Sequence, residues 1–295
     1  MYILILQMVH ILMNKGRIIQ VIRSLYCEVK KLVFSPAFAA GVFLVVVLCM
    51  MTVAYVDNAT GKAYTLIEVL SLRDQQLRLS LSAYKVFFDG LTNYYSLLFL
   101  PLSVSITFIP LYCAERKSGM QRMQIIRQNK TRFALARALG SMLCGGLVVM
   151  TGFLVYGLIV YAVLPHSMIA DESLVAAGFI NTDESFIVTN IHKKIASTFL
   201  EGVELSCLPL LLYMIIKDVY FIICIPVLFY FIIGRVVFVT IDSPLGNLFQ
   251  YIEITGAQRV LFVFDIGGLI IVAGLPVFTI IAFLIWNKRK RNCDA

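Results

Sequence analysis

The sequence predicts an all-α integral membrane protein, with six transmembrane helices and both N- and C-termini cytoplasmic. Three observations predict it. Of 295 residues, 60% are apolar and 14% are charged, where a soluble domain carries about 25% charged residues. Several charge-free runs reach the roughly 20 apolar residues that a helix needs to cross a bilayer. Lys and Arg collect in segments that six crossings would place on one side. A water-soluble fold of this length still leaves roughly a quarter of its unfolded surface facing water, too much for so few polar residues. A soluble enzyme, a DNA-binding protein and a disordered scaffold are excluded on that ground.

The whole chain, 1–295, reads as one transmembrane domain. Residues 1–14 are apolar but too short to span, and they lack the basic leader of a signal peptide. Met13 is the expected start of translation, with residues 1–12 as an extension. Residues 17–34 are expected to form a basic amphipathic helix: Ile18, Ile22, Leu25, Val29 and Leu32 or Val33 recur at helical spacing, while Arg23, Lys30 and Lys31 are expected to face headgroups or water. Pro36 suits the first turn of the span that follows.

The spans are expected at 35–56, 90–114, 138–163, 195–216, 219–239 and 261–287. Pro101 and Pro110 fall within the second, where they allow a kink. The fourth is awkward. Leu205 to Ile216 gives only about 18 Å of helix, so the span must reach back through Glu204 and Glu201 towards Ile195. An acid at mid-membrane costs roughly 2.5–3.5 kcal/mol, and less near the interface. Lys217 and Asp218 interrupt the apolar run from Leu205 to Val239 and are read as a turn between spans four and five. Outside the spans, Leu66 to Leu81 is periodic enough for a short helix, and 165–194 is acidic and mixed. Thr240 to Arg259, with Pro244, Gly246 and Gly256, reads as a re-entrant segment before the last span.

Net charge is +8, and topology accounts for it. Lys15, Arg17, Arg23, Lys30 and Lys31, the basic residues from Arg116 to Arg137, Lys217 and the run Lys288 to Arg291 all fall on the cytoplasmic side. Most acidic residues fall on the other, as the positive-inside rule requires. No nucleic-acid partner is needed to explain the excess. The seven cysteines lie within or beside spans or on cytoplasmic segments, so they are read as small buried apolar residues rather than as a disulfide framework.

A search for chemistry on the chain returns little. No P-loop, no H-E-x-x-H and no Cys or His pair at metal-ligand spacing occurs. His10, His166 and His192 are far apart. Glu201 and Glu204, at i and i+3, share a helical face; they either line a water-filled cavity or cap the outer end of a tilted helix. Arg235 and Asp265, near outer ends of spans, either pair with each other or snorkel separately to the interface. No enzyme activity, metal or cofactor is expected on this chain.

The segment 115–132 carries the strongest signal. Glu115 stands at the membrane exit, Arg116 and Lys117 follow, and Ser118-Gly119 break the chain. A short amphipathic helix comes next, with Met120, Met123 and Ile126 or Arg127 on one side and Gln121, Arg122, Gln124 and Gln128 largely on the other. A basic cluster then leads through the small residues Ala134, Ala136, Ala138 and Gly140 into the third span. A solvated basic loop explains the charges alone. A soluble partner with a hydrophobic cleft also explains Glu115, the Ser-Gly break and the Met stripe, since methionine adapts to such grooves.

With these residues the chain resembles the membrane (permease) subunit of type-2 ATP-binding-cassette exporters. Glu115 to Gly119, the basic stretch Lys130 to Arg137, and Glu28-x-Lys30-Lys31-Leu32-x-x-Ser35-Pro36 carry the resemblance, together with the six-span plan. One departure is visible: the family often has a proline in the basic stretch, where this chain has Arg127-Gln128-Asn129-Lys130. The resemblance implies a multi-pass cell-membrane protein forming half of a pore, completed by a second permease subunit, identical or related. It implies a separate P-loop ATPase that binds ATP and Mg and docks on Glu115, Arg116, Ser118, Gly119, Met120, Arg122, Met123, Ile126 and Arg127. The cargo it implies is an amphipathic or hydrophobic substrate such as a peptide, lipid or drug, surrounded by membrane lipid. Two other readings stay open: a non-transporting polytopic scaffold or sensor subunit, and an intramembrane enzyme using Glu201 and Glu204.

Overall fold

A computed structural model of the chain describes residues 15–56, 62–71, 81, 83–92, 94–164, 184–240 and 274–285. In order, these form α1 (Lys15–Val33), α2 (Pro36–Met50), β1 (Val53–Val56), β2 (Ala63–Thr65), α3 (Leu66–Ser71), α4 (Ala83–Thr92), α5 (Tyr94–Lys117), α6 (Met120–Gln128), α7 (Lys130–Val163), α8 (Glu184–Ile215) and α9 (Val219–Thr240). A further apolar helix, α10, covers Gly274–Ile285. The described residues are mostly helical, as a membrane-embedded α-helical protein requires. Leu98–Lys117, Lys130–Val163 and Ile195–Ile215 are long and apolar enough to cross a membrane, and the α1–α2 pair, bent by 62°, makes a fourth candidate.

The bend between α1 and α2 is written in the sequence. Ser35 is extended at φ −81°, and its Oγ accepts from Phe38 N at 3.3 Å while donating to Leu32 O at 2.6 Å. Pro36 then sits at the first helical position, where its missing N–H costs nothing. Helix α2 is shorter than the expected span. It ends at Met50, where Thr52 Oγ1 closes onto Cys49 O at 2.7 Å, and the β-branched residues beyond it form β1 instead of further helix. β1 pairs antiparallel with β2, Val53 opposite Thr65 and Val56 opposite Ala63. This hairpin was not anticipated.

Thr65-Leu66-Ile67-Glu68 forms a capping box at the start of α3. Thr65 N donates to Glu68 Oε2 at 2.8 Å and Glu68 N to Thr65 Oγ1 at 3.4 Å. Those bonds, the backbone one first, hold the Glu68 carboxyl below the usual carboxylate range. The helix expected over Leu66 to Leu81 is described only as far as Ser71; 72–80 lie outside the described residues, as does the expected re-entrant segment.

Helices α5 and α7 organise the rest. α5 packs against α2, α7, α8 and α9, while α7 packs against α8, α1 and α2. The α7–α8 crossing is backbone on backbone: a Cβ on Gly202 would lie 2.5 Å from Gly145 O and 2.8 Å from Gly146 Cα. In a bilayer such small residues let helices associate by close contact, without help from the hydrophobic effect. The buried core runs through Leu100, Val104, Phe108 and Tyr112 of α5, Cys144, Val148 and Tyr156 of α7, and Leu210 and Tyr213 of α8. Cys49, Cys113, Cys144 and Cys207 are buried as expected, but Cys27 and Cys224 are exposed.

The expected break at Lys217-Asp218 is present. α8 ends at Ile215, and Asp218 Oδ1 accepts from Tyr220 N at 3.0 Å to start α9. α8 is one helix through Glu204 and Glu201 and begins at Glu184, within the segment read as an outer loop. Likewise α5 continues to Lys117 and α7 begins at Lys130. Glu115 to Lys117 and Lys130 to Arg132 are therefore helical, not loop.

Candidate functional site

The site begins at the last turns of α5. Tyr112, Glu115 and Arg116 lie at i, i+3 and i+4 and so share one face. Glu28 and Lys31 share a face of α1, as Phe133 and Arg137 share one of α7. The three helices bring these faces together around the Glu115 carboxylate. Its Oε1 accepts from Lys31 Nζ at 2.7 Å, and Arg137 Nη2 lies 3.0 Å from its Oε2. Lys31 also donates to Glu28 Oε2 at 2.8 Å. Glu28 reaches this position because Gly140 has no side chain: a Cβ there would lie 3.1 Å from Glu28 Cγ.

Arg137 is the unusual member, with 0% exposure. Its guanidinium stands 3.7 Å from the ring centroid of Tyr112, 5.2 Å from Phe133 and 5.6 Å from Tyr213. The Glu115 contact is close but lies off the hydrogen-bond line, so among the described residues Nε, Nη1 and Nη2 have no hydrogen-bond partner. Aromatic faces and one carboxylate compensate its charge. Tyr112 is fixed in turn, its hydroxyl donating to Arg137 O at 3.2 Å.

Arg116 holds a fourth helix. Its Nη1 donates to Tyr213 O at 3.3 Å and Ile216 O at 3.4 Å, the free carbonyls at the end of α8 where the helix dipole favours a cation. The Tyr213 hydroxyl lies 3.4 Å from Tyr112 O and 3.3 Å from Gln121 Oε1. That second contact ties α6 to the same junction.

α6 is framed by two residues of positive φ, Gly119 at +73° and Asn129 at +64°. A Cβ on Gly119 would meet nothing within 4 Å, so the glycine is needed for its backbone and not for space. Ser118 N bonds Ala114 O at 2.9 Å, closing α5 before the turn. The half-buried side of α6 carries Gln121, Gln124, Ile125 and Gln128. Its outer side carries Met120, Met123 and Ile126, exposed by 56%, 64% and 82%, flanked by exposed Arg122 and Arg127. The expected stripe is present, but Arg122 belongs to the Met side and not to the Gln side, because the body of the protein takes the Gln face.

Two other expected orientations are corrected. Lys31, expected to face headgroups or water, turns inward to Glu115, while Ile22 is 58% exposed, as the apolar face of an interfacial helix allows. α1 presents Leu25, Glu28, Lys31 and Leu32 to the protein and Ile19, Ile22 and Tyr26 outward, beside exposed Arg23 and Lys30. An apolar outer face is what lipid selects. Arg137, expected on a cytoplasmic segment, is buried. The sequence signal for it was a lone cation among Ala134, Ala136 and Ala138, residues small enough to let neighbouring helices close over it.

Glu201 and Glu204 are half-buried on α8. Glu204 lies about 14 Å along the helix from Tyr213 at 1.5 Å per residue, and neither acid joins the cluster. Arg235 is on α9 with its side chain outside the described residues, and Asp265 lies outside them altogether. Among the described residues no group of His, Cys, Asp and Glu is arranged to hold a metal ion. No protein-family model, no curated protein and no solved structure matches this chain.

Proposed function

We propose that this chain is the permease subunit of an ATP-binding-cassette transporter, with α6 as the helix on which a separate P-loop ATPase docks. The inverted patterning of α6 carries the reading. A short polar helix alone in water turns its glutamines outward and hides its methionines; this one is bonded through Gln121 to the bundle and leaves three large apolar side chains bare. That arrangement costs apolar exposure in the lone chain and is recovered when a partner covers it. The exposed Arg122 and Arg127 call for acidic groups around the apolar cleft of that partner.

In this reading the six spans leave both termini in the cytoplasm of a multi-pass cell-membrane protein, and a second permease, identical or related, completes the pore. The ATPase binds ATP and Mg; its closure moves α6 and exports an amphipathic or hydrophobic substrate. The test is a paired substitution, Met120→Asp with Met123→Asp. Both sites are exposed, so membrane insertion is expected to be unchanged, while a P-loop ATPase that co-purifies stoichiometrically with the C-terminally tagged wild-type chain is lost. Undiminished ATPase recovery, or wild-type chain free of any P-loop subunit, would overturn the proposal.

A further inference from the structure

The four charges of the cluster, Glu28, Lys31, Glu115 and Arg137, are not equally bound. Arg137 is fully enclosed, so separation from Glu115 would leave a cation with no water to receive it. Lys31 is different: its side chain is 30% exposed, and it holds two carboxylates at once, Glu115 and Glu28. Glu28 is on the same helix as Lys31 and moves with it. The network therefore has one plane along which it parts into two neutral pairs, Glu28–Lys31 on α1 and Glu115–Arg137 on α5 and α7. A break anywhere else strands a charge.

The backbone places a joint beside that plane. α1 ends at Val33 and α2 begins at Pro36 with the 62° bend between them. Leu32, fully buried, anchors α1 at the joint end. Farther out, α1 is held by Glu28 and Leu25 against Gly140 and by Arg132 donating to Gln20 Oε1. Its opposite face, Ile19, Ile22 and Tyr26, is exposed.

We infer that α1 is a hinged arm, latched by Lys31 to Glu115, which releases from the α5–α7 junction as one neutral ion pair leaving another. The latch itself rests on the ion network alone. Its role in reporting α6 docking to the membrane surface rests on the permease reading, since Glu115 and Arg116 lead directly into α6.

The full-length chain carries its own probes. Cys27 on α1 and Cys224 on α9 are exposed, whereas Cys49, Cys113, Cys144 and Cys207 are buried. In a Cys293→Ser background, spin labels on Cys27 and Cys224 report the α1–α9 distance by double electron–electron resonance, with no ATPase present. Lys31→Met keeps the stem and removes the charge. It is expected to add a second population, raising the fraction of chains outside the main distance peak at least threefold, and Lys31→Arg is expected to restore the single peak. A Lys31→Met distribution that overlays the wild type would overturn the latch, as would failure of Lys31→Arg to restore it. Because these measurements use the lone chain, they can fail while ATPase docking succeeds, and the reverse.

Discussion

Replacing Glu115 with Gln keeps the shape of the junction and removes the charge at its centre. At an effective dielectric of about 20, two unit charges about 4 Å apart attract by about 4 kcal/mol. Arg137 is fully buried, with Glu115 the carboxylate against it. Removing one member of such a pair costs about 3–5 kcal/mol, and that is the loss expected for Glu115→Gln. Arg137→Met is expected to cost less, by about 1–3 kcal/mol, because Glu115 keeps Lys31 at 2.7 Å. The double variant strands no buried cation. It should fall near the Arg137→Met value, so the coupling between the two sites equals the Glu115→Gln loss, about 3–5 kcal/mol. The assay is reversible unfolding in mixed micelles, by SDS titration followed by circular dichroism of the helices. Equal losses for the two single variants, adding in the double, would refute the reasoning. In that event the Tyr112, Phe133 and Tyr213 rings alone would hold Arg137.

Two further outcomes test the packing and the cap of α3. Gly202→Ala drives a Cβ to 2.5 Å from Gly145 O and is expected to cost about 2–3 kcal/mol by overpacking, whereas Gly119→Ala meets only the left-handed backbone penalty of about 1–2 kcal/mol; a smaller loss at Gly202 in the same titration would contradict the close crossing. The Glu68 carboxyl titrates below its unfolded value because Thr65 bonds its charged form, so its contribution is complete above the usual carboxylate range and disappears as pH falls through the lowered value. Amide protection factors over Thr65–Ser71, corrected for intrinsic exchange, should fall in acid in the wild type and stay low and flat in Glu68→Ala; protection unaffected by acid would remove the capping box.

The sequence revealed what depends on runs and local chemistry. Charge-free runs located the helices α5 and α7, Ser35-Pro36 marked the bend, Lys217-Asp218 marked the break that ends α8, and Ser118-Gly119 marked the start of α6. It did not reveal which side of an amphipathic helix faces protein. In water the apolar side turns inward and the charged side outward, and the outward half of that rule misplaced Lys31. When lipid or a partner chain is the outer medium, the rule reverses, and periodicity alone does not say which medium a face meets. The ion cluster was invisible for another reason. Glu28, Lys31, Glu115 and Arg137 lie on three helices far apart in sequence, and nothing local to any one of them announces the other three. The hairpin was missed because Val53 to Val56 continues an apolar run, and hydropathy does not distinguish a strand from the last turn of a span.

The same geometry constrains how force applied to α6 would travel. Coupling between distant sites needs elements with physical connections that both sites can bias. Glu115 binds α1 through Lys31 and α7 through Arg137, while Arg116, the next residue, binds the end of α8. Gln121 returns from α6 to α8 through Tyr213. Between Arg116 and α6 lie only Lys117, Ser118 and a left-handed Gly119, a link too short to absorb a large displacement. A load on the Met120–Met123–Ile126 face therefore reaches three helices through two adjacent side chains. Of the two ion pairs that Glu115 makes, only the one to α1 can part without stranding a charge. Motion of α6 is thus expected to leave α5, α7 and α8 together as one body and to appear first at α1.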